Sequence, residues 1–282
     1  MGKDVIAIDL GGTHLRTALV RNNKIIDIKK RDTAKSKKLL LKGMAEDIQH
    51  FINIYDGIRG IGVASPGPLE NGKLLNTPNL PLRYFNLKKF LENKFHKKVV
   101  IENDANCVAL AELKLGVKKH HFLVLTIGTG LGGGVIVHGK LFMGNGLGGE
   151  LGHIILDKGI DFENLVASKA LKRRTKKELG NEMLIKDLIK LSSKGNVKAK
   201  KVLQEISTYL GQGIASLISV FDPDVIVLAG GAREAGNKFL NMIRKETKKY
   251  SFLKGNYPIQ WTKLEEPGVL GASLLMDWKN EK

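Results

Sequence analysis

The 282-residue sequence is short of cysteine, aromatic residues, acid and long apolar runs, and each shortage excludes something. The single cysteine, Cys107, rules out an internal disulfide and a cysteine cluster for a metal. Its place in a helix-forming stretch makes it a small core residue rather than a nucleophile. No apolar run approaches the roughly 20 residues that cross a bilayer. The opening, MGKDVIAIDL, has an acid inside a short apolar run and no small-residue cleavage site, so a secretion signal is not expected and a cytoplasmic location is. Acid is outnumbered, with 28 Asp and Glu against 46 Lys and Arg, for a net charge of +18. A basic surface attracts phosphate of any kind. Here the lysines are dispersed, aromatic residues are only 6% of the chain, and neither a zinc-finger spacing nor an aromatic RNA-binding signature is present, so nucleic acid is not expected as a partner. A solvated lysine surface is the simpler account, and its field would draw anionic nucleotides.

What is present is a long chain with apolar residues at 43%, which favours two lobes with a cleft over one core. Residues 4–9, 15–20 and 24–28 read as a three-strand meander joined by a glycine turn and an Asn-Asn turn. Helical spacing runs over 34–54, and a strand over 58–64 ends in Ser65-Pro66-Gly67-Pro68. The loop Asn76-Thr77-Pro78-Asn79-Leu80-Pro81 follows, then a helix over 87–95, an apolar strand from Val99 and a helix over 105–115. A second meander begins near Gly116, with strands at 121–127 and 134–138 around a glycine loop and an edge at 140–143. Helices are expected at 163–178, 182–191, 197–220, 237–249 and 267–278, with strands at 224–228 and 259–261. The order strand, glycine loop, strand thus occurs once in each half. It places the lobes at 1–115 plus 265–282 and at 116–264.

The stretch VVIENDAN at 99–106 organises the chemistry. An apolar strand ends in Glu102, Asn103 and Asp104, and ligands of open α/β sheets collect outside the carboxyl ends of strands. Asp104 is therefore placed to take a proton from a bound substrate. Glycine-rich turns at Gly11-Gly12-Thr13 and at Gly128-Thr129-Gly130-Leu131-Gly132-Gly133-Gly134 would let backbone N–H groups approach phosphate oxygens, with the hydroxyls of Thr13 and Thr129 as further donors. A hairpin also uses glycine without any ligand, so neither turn distinguishes the readings alone. Asp9 could hold Mg²⁺ through water. Neither a Walker lysine nor a strand-to-helix GxGxxG accompanies these glycines. Gly230 and Gly231 after an apolar strand could seat a base or ribose. Glu150 and His153, in GGELGH, pair a carboxylate with an imidazole in the manner that suits sugar hydroxyls.

Together these residues resemble the ROK family of sugar kinases, within the sugar kinase, Hsp70 and actin superfamily. The carriers are DLGGT at 9–13, SPGPL at 65–69, NTPNLP at 76–81, ENDAN at 102–106, IGTGLGGG at 127–134 and GELGH at 149–153. The resemblance implies an α/β fold of two ribonuclease-H-like lobes around a central cleft, the last helix returning to the first lobe. It implies ATP-dependent phosphorylation of a hexose at O6, with Asp104 as base. Asn79, Asn103, Glu150, His153 and Glu163 would bind sugar. Gly11 to Thr13 and Gly128 to Gly130 would handle ATP phosphates, Gly230 to Ala232 would lie near adenosine, and Mg²⁺ would arrive with ATP. Glucose is the first substrate, with N-acetylglucosamine and N-acetylmannosamine as alternatives and a homodimer as the family's expected assembly. Many family members carry a zinc-binding cysteine cluster after GELGH; the short segment 157–162 here has no cysteine, so no structural zinc is expected. His14 stands where the family often has lysine, and Arg16 could substitute for that charge or point outward into solvent. The different-class reading is a sugar-responsive transcription regulator. Such relatives carry a winged helix-turn-helix before the kinase-like part, whereas this sequence reaches its first glycine turn directly after residue 9.

Overall fold

The computed structural model describes residues 4–77, 79–252, 255 and 257–278. The chain divides into two compact units, one of Met1–Lys118, Met143–Gly148 and Leu264–Lys282, the other of Lys119–Phe142 and Gly149–Lys263. Residues 143–148, which the sequence reading assigns to the second lobe, group with the first unit.

In the first unit β1 (Asp4–Leu10), β2 (His14–Arg21) and β3 (Lys24–Asp32) form the antiparallel meander. Helix α1 (Lys37–Ile54) then leads to β4 (Ile58–Ser65). Three two-residue strands follow, β5 (Leu69–Glu70), β6 (Lys73–Leu74) and β7 (Phe85–Asn86), then α2 (Leu87–Phe95), β8 (Lys98–Asn103) and α3 (Asp104–Lys114). The main sheet has the order β3-β2-β1-β4-β8, with β1, β4 and β8 parallel. Strand β1 is buried almost throughout, as a central strand must be, whereas lysine-rich β3 is a solvated edge. Leu40, Met44, Ile48 and Phe51 share one face of α1 and pack with Ile6, Ile8, Ile61 and Val63 in a single core.

The second unit repeats the plan. Strands β9 (Phe122–Ile127), β10 (Leu131–Val137) and β11 (Lys140–Leu141) are its meander. A small hairpin, β12 (Ile155–Asp157) with β13 (Ile160–Asp161), leads into α4 (Phe162–Val166), α5 (Ser168–Leu179), α6 (Ile185–Ser193) and α7 (Val197–Phe221). Strand β14 (Val225–Ala229), α8 (Gly236–Tyr250) and β15 (Ile259–Trp261) complete it, with sheet order β11-β10-β9-β14-β15. The ribonuclease-H-like order therefore occurs twice, a meander followed by two parallel strands. Asn196 caps α7 by accepting from the Ala199 N–H, and α6, α7 and α8 bury one apolar face each in this unit's core.

The last helix, α9 (Pro267–Trp278), belongs to the first unit and packs on α3, β4 and β1. It sits close because two glycines leave room. A Cβ at Gly62 would collide with the Ala272 carbonyl oxygen, and one at Gly271 with the carbonyl of Cys107, itself fully buried.

Two expectations are corrected. The run Gly132 to Gly134 lies inside β10, so the second glycine turn is only Gly128 to Gly130. The single helix over 163–178 is broken at Ala167, whose extended backbone separates α4 from α5. The two short-stranded sheets were not foreseen, because two- and three-residue strands are too short to show a period. Pro78, in the loop expected at 76–81, lies outside the described residues. Among the described residues, no helix is long and apolar enough to cross a membrane.

The tight seat of α9 makes Gly62→Ala a disruptive change despite its size. Overpacking of this kind costs about 1–3 kcal/mol; urea unfolding should show that loss, and an unchanged midpoint would contradict the packing.

Candidate functional site

In the first unit the turn after β1 is closed by one bond of its own and held by two from outside. The Gly11 N–H donates to the His14 carbonyl at 2.9 Å, the Thr33 N–H donates to the Thr13 carbonyl at 2.8 Å, and the Thr33 hydroxyl donates to the Gly11 carbonyl at 2.7 Å. Gly12 lies against Asn79, whose Cβ stands 2.9 Å from where a Gly12 Cβ would be. Two groups assigned separately from sequence, the first glycine turn and Asn79, are thus adjacent. The carboxylate of Asp9 is 3.3 Å from Arg16 Nη1; Arg16 Nε is 2.8 Å from Glu266, and Lys30 Nζ is 2.5 Å from the other oxygen of Glu266. Four side chains of alternating charge run from the sheet edge to the mostly buried Asp9, only 19% exposed. Burial pushes the Asp9 carboxyl above the ordinary aspartate value, Arg16 pulls against this, and Glu266 adds to it. Asp9 also lies against Gly268 in the first turn of α9. Arg16 is the inward-facing cation here, whereas His14 pairs with exposed Asp32 at 3.1 Å.

Asp104 is the first residue of α3, one position earlier than the expected helix start. Asn103 is the N-cap, its Oδ1 accepting from the N–H groups of Ala105 at 2.9 Å and Asn106 at 3.1 Å. Asp104 Oδ1 also accepts from Ala105 N–H at 2.9 Å. Buried Glu102 accepts from the Asn103 N–H and the Asn106 amide, locking the turn from the strand side. Asn103 has spent its acceptor on the helix, so its Nδ2 donors remain for other work. Asp9 pairs with Ala64 and Ala64 with Glu102, so β1 and β8 flank β4, and Asp9 and Glu102 stand about 10 Å apart along one carboxyl edge of the sheet.

In the second unit Gly128 N–H donates to the Gly130 carbonyl at 2.9 Å, closing the turn. The Gly128 carbonyl accepts from Ser168 N–H at 2.9 Å, and Leu131 N–H donates to Glu163 Oε2 at 2.8 Å. The GELGH stretch lies on β10: Cβ atoms at Gly133 and Gly152 would strike the Gly149 and Leu131 carbonyls. That contact, not a phosphate, accounts for Gly133. Burial pushes Glu150 above the ordinary glutamate value, His153 pulls it down, and Glu163 raises it, so the three side chains share one electrostatic neighbourhood. His153 Nδ1 is 3.5 Å from Asp161 Oδ2, while Asp161 Oδ1 caps α4 through Asn164 N–H at 2.8 Å. Gly230, at φ +85, turns against the backbone of Ile127, which brings 230–231 beside the end of β9.

Each unit therefore gathers its own share of the expected residues: Asp9, Gly11 to Thr13, Asn79, Asn103 and Asp104 in one; Gly128 to Gly130, Glu150, His153, Glu163, Gly230 and Gly231 in the other. Thr33, Asp161 and Glu266 escape a reading of the sequence. Asp161 alone left a signal, an acid at the cap of a short apolar turn. Among the described residues, no group of three His, Cys, Asp or Glu is arranged to hold a metal ion.

A family model described as the ROK family matches residues 5–279. A glucokinase of Thermotoga maritima is 31% identical over 310 residues, covering 96% of both chains. A xylose repressor of Bacillus spizizenii is 31% identical over 263 residues, covering 86% of this chain and 67% of that protein. The crystal structure of a ROK hexokinase from Thermus thermophilus superposes with a TM-score of 0.83 at 30% identity, over 98% of this chain and 99% of that one. The α/β fold with two lobes of the actin and Hsp70 type is shared with it.

The raised pKa of Asp9 fixes the sign of a stability effect. A carboxyl that holds its proton more tightly folded than unfolded makes the fold lose stability as pH rises through that range. Asp9→Asn should therefore melt above the parent at pH 7, and the gap should close as pH falls toward the ordinary aspartate value near 3.8. Melting curves from pH 3 to 8 check this; a variant less stable at pH 7 would contradict it.

Proposed function

Because this chain belongs to the ROK family, we propose that it is an ATP-dependent hexose kinase acting at the 6-hydroxyl, with glucose as first substrate and N-acetylglucosamine or N-acetylmannosamine as alternatives. The observation that carries this reading is Asp104, fixed at the head of α3 by the Asn103 cap, on the same sheet edge as Asp9 and the first glycine turn.

Phosphoryl transfer asks little covalent chemistry of a protein; it needs the acceptor oxygen aligned and the spread charge stabilised. Asp104 accepts the proton of the sugar hydroxyl as the oxygen commits to phosphorus. Within the turns at Gly11 to Thr13 and Gly128 to Gly130, the Gly11 and Gly128 N–H groups close the turns, and the backbone N–H groups of Gly12, Thr13, Thr129 and Gly130, with the two threonine hydroxyls, donate to phosphate oxygens. Gly230 and Gly231 leave space for the nucleoside. Asn79 and Asn103 Nδ2 donate to the sugar, while Glu150 and Glu163 accept from its hydroxyls and His153 completes the set. A hydrated Mg²⁺ suits Asp9, a hard-oxygen carboxylate whose cationic neighbour Arg16 is drawn off by Glu266. Bound with ATP, the ion would neutralise charge on the phosphates.

ADP release should be measured with Mg-ATP against glucose, N-acetylglucosamine, N-acetylmannosamine and fructose. Sugar-dependent turnover is expected, and Asp104→Asn should lower kcat by about 10²–10⁴ while the protein stays folded. No turnover with any sugar from folded protein would overturn the reading; salt-dependent binding to duplex DNA in its place would favour the regulator that the xylose repressor likeness keeps in view. Glu150 supplies a second check. Only its ionised form accepts from a hydroxyl, so KM for the sugar should climb as pH falls through its raised pKa, at a midpoint above 4.5, and Glu150→Gln should flatten that limb.

A further inference from the structure

The second glycine turn is tied at both ends to one short segment. On the far side, Leu131 N–H donates to Glu163 Oε2 at 2.8 Å. On the near side, the Gly128 carbonyl accepts from Ser168 N–H. Helix α4 lies between, beginning one residue before Glu163 and ending at Val166, with Ala167 extended so that Ser168 can reach the turn. The helix cannot shift without dragging the loop.

Gly130 adds an independent observation. Its φ lies outside the left-handed region, so its backbone would accept alanine. What a side chain would meet is the Glu163 carboxylate, which occupies the place of a Cβ and would have to leave its bond to the Leu131 N–H to make room. Chain and carboxylate have been fitted to each other at this point. A carboxylate accepting a backbone N–H makes a charge-assisted bond, stronger than a neutral one. Glu163 Oε1 carries no hydrogen bond among the described residues, and it stands 3.7 Å from the vacant Cβ position.

We propose that Glu163 is a positioning residue for the phosphate-binding turn: one carboxylate oxygen fixes Gly128 to Leu131 in the shape that receives ATP, and the other is left for a sugar hydroxyl. This rests on the kinase reading. It makes one side chain answer to both substrates, so ordering by the sugar stiffens the turn that holds the nucleotide.

The test is equilibrium binding of Mg-ATP, with KM for ATP and for sugar, on the parent, Glu163→Ala, Glu163→Gln, Gly130→Ala and the double variant Gly130→Ala/Glu163→Ala, each shown by thermal melting to be folded. Glu163→Ala should weaken ATP binding about ten- to a hundredfold, measured without sugar. Glu163→Gln, whose amide oxygen can accept the same N–H, should restore most of it. Gly130→Ala should be damaging alone and nearly silent once Glu163 is truncated, the non-additivity expected of groups in contact. If Glu163→Ala binds ATP like the parent and only KM for sugar rises, Glu163 serves the sugar alone and the proposal fails. It fails equally if Gly130→Ala is as damaging without Glu163 as with it. A parent that binds no ATP overturns the kinase reading, and this inference with it; a parent that binds ATP normally beside an unaffected Glu163→Ala overturns this inference only.

Discussion

A turn that offers most of its own N–H groups to a ligand has few left to hold itself in place, and here Gly11 and Gly128 supply one closing bond each. Twice in this chain a strand ends, turns on glycine and returns beside itself, and twice the turn is fixed by groups from elsewhere. Thr33 grips the first turn by two bonds, one from its backbone and one from its hydroxyl. Glu163 and Ser168 grip the second. The supports differ in kind, a neutral hydroxyl in one unit and a carboxylate in the other, although the strand plan is the same. The sheets supply the frame. What makes the turns specific is the set of acceptors and donors brought to them.

The two acids whose carboxyls are raised above the ordinary range follow a second rule: each stands among groups that limit, without cancelling, that rise. Asp9 has Arg16, and Arg16 has Glu266 drawing it away. Glu150 has His153 on one side and Glu163 on the other. Complete neutralisation by a tight pair would leave an acid with little to offer a ligand, while isolation in a low-dielectric setting would leave it protonated. The arrangement in between keeps a carboxylate reactive toward a cation or a hydroxyl.

Long apolar patterns were plain in the sequence. The 25-residue α7 and α9 stand where helical spacing puts them, because burial on a fixed face leaves a regular trace, and the central strand β1 stands where its apolar run puts it. The break at Ala167 left none, since helical spacing runs straight through it and its cause is a backbone bond to Gly128, forty positions away. Gly132 to Gly134 misled for a related reason: a glycine kept for close strand packing reads the same as one kept for a ligand. At the site, motif residues could be named by type, yet the direction of Arg16 could not. Its strand is buried on both faces, so parity says nothing about which way it points. Glu266 was hidden because it reaches Arg16 across 250 residues of sequence.

The seat of α9 has a consequence for how the chain comes to be. Everything in the first unit up to α3 is synthesised before the second unit, but the helix that lies on β1, β4 and α3 is made after it. At ribosomal speed the interval between α3 and α9 is about ten to thirty seconds. Throughout it one apolar face of the first sheet waits uncovered, and the glycine floor under Asp9 does not yet exist. The second unit has no such wait, as β9 through β15 are laid down in one stretch. Birth order therefore runs opposite to chain order: the later unit can set first, and the earlier one closes only on α9, so that a nascent chain halted short of α9 lacks the helix turn against which Asp9 rests.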